Sequence, residues 1–405
     1  IYQWYVNDSP ITGATNSSYT ITLAGAVDNG AYTVRISNAF GQVLSQPALL
    51  QVVPLFMLGA NDYGQATQSV AATNAVGMAA GAWHTLIVKS DGTVLAWGAN
   101  GAGQCTVPAT LRNAMAVAGG GSHSLALRVD GTVIAWGDNS YGQATPPTGL
   151  ANVTAIAAGD WHSAALRADG TVVVWGDNSQ GQLNIPSGLR NVIAISAGGS
   201  HTLALKADGT VVGWGANVDP QGNFAGQSIV PWDAGNADAI AAGEFHSLAA
   251  RLDGSTIGWG YNVMGETQAP GSLSNVVAVS AGNQFSVAVK ADRTATAWGN
   301  DWNGQCDLPP SMSNVVAVAT GDSHTVVFLG RPTGLPQMVR TQRQGTQFGI
   351  WVQTVAGFNY ALESSSTLTA GSWSSIQTIR GNGSRELLLD TAANAPWRFY
   401  RIRQW

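Results

Sequence analysis

A Trp-Gly dipeptide recurs at Trp97, Trp136, Trp175, Trp214, Trp259 and Trp298, with Leu58-Gly59 in the same register. The interval is 39 residues at every step but one: 214 to 259 spans 45, and the extra six fall in the stretch VDPQGNFA before Gly226-Gln227. A second marker, Gly-x-x-His, keeps the same spacing at His84, His123, His162, His201, His246 and His324, with Phe285 in its place once. All six histidines of the chain therefore share one register. An interval this regular means that one supersecondary unit is copied and stacked, and no other property of the chain limits its fold as strongly.

Each unit predicts three short strands, in the central copy at residues 153–159, 162–168 and 171–176. An Asp-Gly turn joins the second and third, because glycine accepts the positive φ of a tight hairpin. The strands are rich in Val, Ala and Leu on both faces, as a sheet covered on both sides requires. The ends of the repeated region supply the architecture. Residues 55–59 read as a third strand with nothing before it, and residues 315–329 as a first and second strand with nothing after. Joining them completes one more unit and leaves no open edge. The expectation is an all-β fold, a seven-bladed β-propeller closed by strands from both ends, spanning 54–331.

Two flanking modules are expected on either side. Residues 1–53 hold Trp4 and the run Asp28-Asn29-Gly30-Ala31-Tyr32, which resembles the tyrosine corner of immunoglobulin-like domains. Only half of such a domain is legible, so the chain reads as part of a longer multidomain protein, and this piece should expose apolar surface. Residues 332–405 alternate as strands and polar turns and read as a C-terminal β-sandwich module, with Arg398, Arg401 and Arg403 guarding an edge strand.

The Gly-x-x-His marker in its apolar setting (IAAGDWHSAAL) and the WGDNSxGQ loop resemble the RCC1-like repeat family. The unit length is similar to its compact bacterial branch, the β-lactamase inhibitor protein II type. That resemblance covers residues 55–329 and implies a propeller whose partner is held by aromatic loop residues on one face.

Composition removes several function classes. Residues 1–330 hold 10 Lys+Arg against 20 Asp+Glu and residues 331–405 hold 8 against 3, which sum to the 18 and 23 of the whole chain and its net −5. An acidic main body is a poor match for nucleic acid, and no apolar run is long enough to insert in a membrane. Cys105 and Cys306 sit in blades too far apart for a disulfide. Equivalent histidines on successive blades point to different places around an axis, so no metal and no cofactor is expected, and each His is expected to be buried and bonded to backbone.

Function is then expected where the repeats differ: the pair inside Gly-x-x-His, and the loop from Trp-Gly to Gly-Gln. The hairpin puts both at one end of each blade. That face gathers Trp83, Trp161 and Phe245 from the first set, Tyr63, Tyr141 and Trp302 from the second, and Phe224 from the insertion. Asp160, Glu244 and Asp322 are interleaved with them. Aromatics with acidic neighbours suit a protein or glycan ligand. The leading expectation is a non-catalytic binding module of a secreted or cell-surface bacterial protein. The alternatives are a polysaccharide-acting propeller enzyme, for which the carboxylates look scattered, and a β-lactamase-inhibitor-like protein inhibitor.

Overall fold

The computed structural model describes residues 1–21, 28, 30–38, 41–50, 54–330, 337–344, 347–353, 359–366, 373–380, 385–391 and 399–404. Between Leu55 and Leu329 these residues form seven three-stranded antiparallel sheets. Six are continuous in sequence, at 75–98, 114–137, 153–176, 192–215, 237–260 and 276–299, and are called blades 1 to 6. The seventh pairs Val315–Thr320 with His324–Leu329, and the latter with Leu55–Gly59 in the register His324↔Gly59 to Phe328↔Leu55. The fold is the all-β propeller expected, and the strand that precedes blade 1 in sequence closes the ring.

The second strand of each blade is the most enclosed. His162 to Leu166 are buried without a break, and the same holds for the other blades through their first four residues. Burial on both faces explains why these strands lack polar alternation. Neighbouring blades share apolar clusters, such as Leu125, Leu127, Val153, Ala165 and Trp175 between blades 2 and 3. Five of the Trp-Gly tryptophans, at 136, 175, 214, 259 and 298, are buried packing residues.

The hairpin turns opposite the loop face are alike. Asp169 accepts hydrogen bonds from the amide (2.9 Å) and hydroxyl (2.6 Å) of Thr171, and Asp91, Asp130, Asp253 and Asp292 make the same pair of contacts. The residue after the aspartate has positive φ, glycine in five blades and Arg293 (φ 66°) in blade 6.

The flanks are built differently. Tyr2–Val6, Ser9–Pro10, Gly30–Asn38, Gly41–Leu44 and Ala48–Leu50 make one five-stranded sheet. In it the Tyr32 hydroxyl donates to the Asp28 carbonyl at 2.7 Å, the contact a tyrosine corner makes. Ile36, Val43 and Leu44 stay exposed on this sheet. Near the C-terminus, Gln337–Gln344, Gln347–Gln353 and Arg385–Asp390 form one sheet, and Ser374–Arg380, Asn359–Ser365 and Phe399–Gln404 a second. Ile350, Val352 and Leu388 from the first pack on Tyr360 and Leu362 from the second. Arg398 lies outside the described residues. Among those described, no helix is long and apolar enough to cross a membrane.

Candidate functional site

The histidine register is a belt of links between blades. His84 Nε2 meets Ser124 Oγ at 2.9 Å, His123 meets Ser163 at 2.8 Å, His162 meets Thr202 at 2.9 Å, His201 meets Ser247 at 2.9 Å and His246 meets Ser286 at 2.9 Å. His324 closes the ring on Thr85 at 3.2 Å. The partner is a hydroxyl of the next blade, not the backbone atom expected from sequence. The reason is local: the residue after each His is Ser or Thr, and its side chain reaches back toward the preceding blade.

In five of the six links that hydroxyl donates its own proton to the carbonyl of residue 65, 104, 143, 227 or 266, at 2.8–2.9 Å. Residue 266 is Glu where the others are Gln. The hydroxyl can then only accept from the ring, which places the imidazole proton on Nε2. The opposite nitrogen, Nδ1, is buried without a partner in all six. Burial accordingly holds His84, His162 and His201 down at about 3, and His123, His246 and His324 at about 4. These side chains are neutral structural links. Among the described residues no group of three His, Cys, Asp or Glu is placed to hold a metal ion.

The same carbonyl takes the indole N–H of the next Trp-Gly, for example Trp175 Nε1 to Gln143 O at 2.9 Å. One Gln carbonyl thus fills both lone pairs, with a hydroxyl and an indole, and fixes the base of the variable loop. The loop itself is fastened by two side chains. In blade 3, Asn178 accepts the amide of Leu183 (2.9 Å) and Gln182 accepts that of Gln180 (2.8 Å). Asn61 with Gln65, Asn100 with Gln104 and Asn139 with Gln143 repeat the arrangement. Residues between these pins are held outward on a rigid frame.

Those residues are where the aromatics sit. Tyr63 and Tyr141 are exposed at the same loop position, and Trp302, one residue earlier in its own loop, is 78% exposed. Phe224 is exposed on the insertion, which is tied by the Val218↔Phe224 bridge. Tyr63 packs edge-on against Trp83 (6.1 Å between ring centres), and Tyr141 against Trp161 (5.6 Å), each pair joining neighbouring blades. Phe245 packs against Tyr261 (6.2 Å), a residue the sequence reading passed over. Trp161 remains exposed, whereas Trp83 and Phe245 are half-buried under their partners.

The acidic residues are not interleaved with these rings, and they are not scattered. Asp160, Glu244 and Asp322 converge on the axis, where they line a cavity of about 100 Å³ with the glycines and alanines that end the first strands. The convergence has a geometric cause. Second-strand side chains at one register each reach sideways to a different neighbouring blade, but the inner strands end around a narrow axis, so their next residues meet. Gly199 marks the closeness: a Cβ there would lie 3.0 Å from Glu244 Cγ and 3.3 Å from an Asp160 carboxylate oxygen. One oxygen of Glu244 is buried without a partner. Burial, then the charges of Asp160 and Asp322, push Glu244 well above the usual carboxylate range; burial raises Asp160, and burial with the Asp160 charge takes Asp322 to about 7. The cavity is well below the roughly 300 Å³ at which small-molecule pockets begin.

Cys105 and Cys306 are free and half-buried, and their thiols donate to the carbonyls of Ala99 (3.1 Å) and Asn300 (3.4 Å). Burial pushes them up to about 11 and about 12, so neither is a reactive thiolate.

Four stretches, residues 75–104, 116–143, 153–182 and 192–221, match the family model of the regulator of chromosome condensation (RCC1) repeat. Three solved structures similar to this chain illustrate the likeness of fold. Yeast RCC1 (Prp20), in complex with Kap60, aligns with TM-score 0.56 at 22% identity over 68% of this chain and 88% of its own. Human WBSCR16 aligns at 0.54 and 18% identity, over 69% and 99%. The ectodomain of the Physcomitrella patens receptor kinase CR4 aligns at 0.51 and 24%, over 65% and 72%. No curated protein matches by sequence. The chain carries RCC1 repeats and folds as an RCC1-like β-propeller.

Proposed function

We propose that this chain is a non-catalytic interaction module that binds a protein partner on the loop face of its propeller. One observation carries the reading: Tyr63, Tyr141 and Trp302 are exposed on loops pinned by their own Gln side chains, and Trp161 is exposed beside Tyr141 at the same end of the ring. Rigid aromatic side chains offer large contact area at little entropic cost, which is why they anchor protein interfaces. RCC1-like propellers are protein-binding modules, and the yeast relative Prp20 is described with Kap60 and for its binding to Gsp1p and histones. The axial acids Asp160, Glu244 and Asp322 are all raised and keep only part of their charge near neutral pH, and that remaining negative charge favours a partner that is basic there.

The enzyme reading has little support, since the converging acids lie in a cavity too small for a sugar ring and Asp160, Glu244 and Asp322 would share protons with one another. The low charge of the chain supports an extracellular, bacterial setting, and the Tyr32 contact supports an immunoglobulin-like character for the N-terminal sheet.

The test uses the whole chain on a protein array, compared with W161A/W302A. The double variant is expected to lose at least about ten-fold in affinity for any specific ligand while unfolding at the same temperature. Specific binding that survives both substitutions unchanged would remove the loop face from consideration.

A further inference from the structure

The end of the propeller opposite the loop face varies little from blade to blade, apart from Arg293 in blade 6 and the proline turn of blade 5. Before its first strand each of six repeats has a proline turn, closed in blade 4 by Leu189 N to Pro186 O at 3.2 Å and in blade 5 by Ala234 N to Pro231 O at 3.0 Å. The residue after that proline is Ala109, Thr148, Ser187, Gly271 or Pro310 in five copies, and Trp232 in blade 5. The next is Thr110, Gly149, Gly188, Ser272 or Ser311, but Asp233 in blade 5. Trp232 is 96% exposed. An indole left in water contributes nothing to packing, so folding does not account for it.

The ion pairing around it is also rearranged. In four other blades the basic residue at the end of the second strand pairs with its own turn aspartate: Lys89–Asp91 (4.0 Å), Arg128–Asp130 (3.8 Å), Lys206–Asp208 (3.0 Å) and Lys290–Asp292 (3.2 Å). Arg251 turns instead to Asp233, donating to its carbonyl at 2.6 Å and lying 3.6 Å from its carboxylate. Arg251 thereby holds the turn that presents Trp232. Together Trp232, Asp233, Asn236, Arg251, Leu252 and Asp253 border an open depression of about 800 Å³.

We propose that this depression is a subsite for a neutral sugar ring of a glycan. A pyranose has an apolar C–H face and a rim of hydroxyls, and the depression offers the complement: a free indole face, with carboxylates, an amide and a guanidinium around it. Hydroxyls donate to the Asp233 and Asp253 carboxylates and accept from Asn236 or Arg251, while the C–H face covers the indole. Other occupants fit less well. A peptide anchored by an apolar side chain needs an enclosed apolar wall, and only Leu252 supplies one. Nucleic acid would meet two carboxylates for one guanidinium, the wrong sign for phosphates. A cationic group over the indole would face Arg251. The site lies at the other end of the blade from Phe245, so it stands independently of the proposed loop-face function.

The whole chain is titrated calorimetrically with neutral oligosaccharides of glucose, mannose, galactose and N-acetylglucosamine. At least one is expected to bind, with affinity falling about ten-fold or more in W232A, several-fold in D253N, and not at all in W161A. Because Trp232 is free in solvent, W232A leaves the fold intact, and W232Y retains part of the affinity. The proposal is overturned if none binds at millimolar concentration, if W232A binds as the wild type does, or if the depression takes a peptide and no saccharide.

Discussion

Blade 6 and the other six blades fill the same buried position differently. Phe285 stands where the others have His, and both kinds of ring are fully enclosed. Each lies against the glycine three residues before it; a Cβ on Gly282 would collide with the Phe285 ring, and one on Gly159 with the His162 ring and the Gly198 carbonyl. The chemistry beyond that shape differs. Phe285 has no donor for Thr325, which nevertheless keeps its own bond to the Gln305 carbonyl at 2.8 Å. Blade 6 also has the neutral Asn283 where Asp160, Glu244 and Asp322 stand in their blades. The contrast teaches that this position demands a flat ring of fixed volume first, and a link to the next blade only second.

Removing the ring should therefore cost far more than exchanging it. His162→Ala leaves a cavity between Gly159 and Gly198 and strands the Thr202 hydroxyl, for an expected loss of about 3–5 kcal/mol. Thermal unfolding followed by tryptophan emission checks it, since the Trp-Gly indoles report on the blades. A loss under about 1 kcal/mol would mean that the ring's volume is not the primary demand.

Much of this frame is legible in the sequence. The fixed interval, the Asp-Gly turns and the orphan strands at 55–59 and 315–329 led to the closed ring, because each strand must find a partner. The signal for the histidine partner was also present, as a Ser or Thr after every His or Phe of the register, but a single buried His gives no reason to look one residue further on. The axial acids break the rule that holds for the histidine register, because at the axis radius and not register decides what meets. Trp232 lies outside the two variable places, in a short proline turn after the loop, where a single unusual residue gives no periodic signal.

The second contrast concerns charge at the axis. Glu244→Gln gives blade 5 the neutral amide chemistry of Asn283 in blade 6. The raised carboxyls favour the protonated folded state, so their contribution is fully present below the usual carboxylate range and is lost as pH rises; for Asp322 the window runs from about 4 to about 7. Glu244→Gln should stabilise the chain by about 1–3 kcal/mol near pH 8 and by almost nothing near pH 4. Equal shifts at both pH values would show that the three carboxylates do not repel one another in the folded ring.

The smallest effect tests the comparison most directly, by exchanging the two rings. His162→Phe keeps the volume and gives up the bond to Thr202, at an expected cost near neutral pH of about 1 kcal/mol or less. Phe285→His makes the missing link to Thr325 and should gain a similar amount. Acid reverses both. A neutral buried His has its folded pKa below the unfolded value, so its contribution is fully present above about 6.5 and is lost as pH falls toward about 3 for His162. Unfolding takes up one proton per histidine in that window, worth about 1.4 kcal/mol per pH unit once the unfolded side chain is fully protonated. His162→Phe removes one such proton and Phe285→His adds one, so by about pH 4.5 the first variant should be the more acid-stable of the pair and the second the less. Parallel stability curves, with no crossing against wild type, would mean that the imidazoles titrate normally and that the belt is not held neutral by burial.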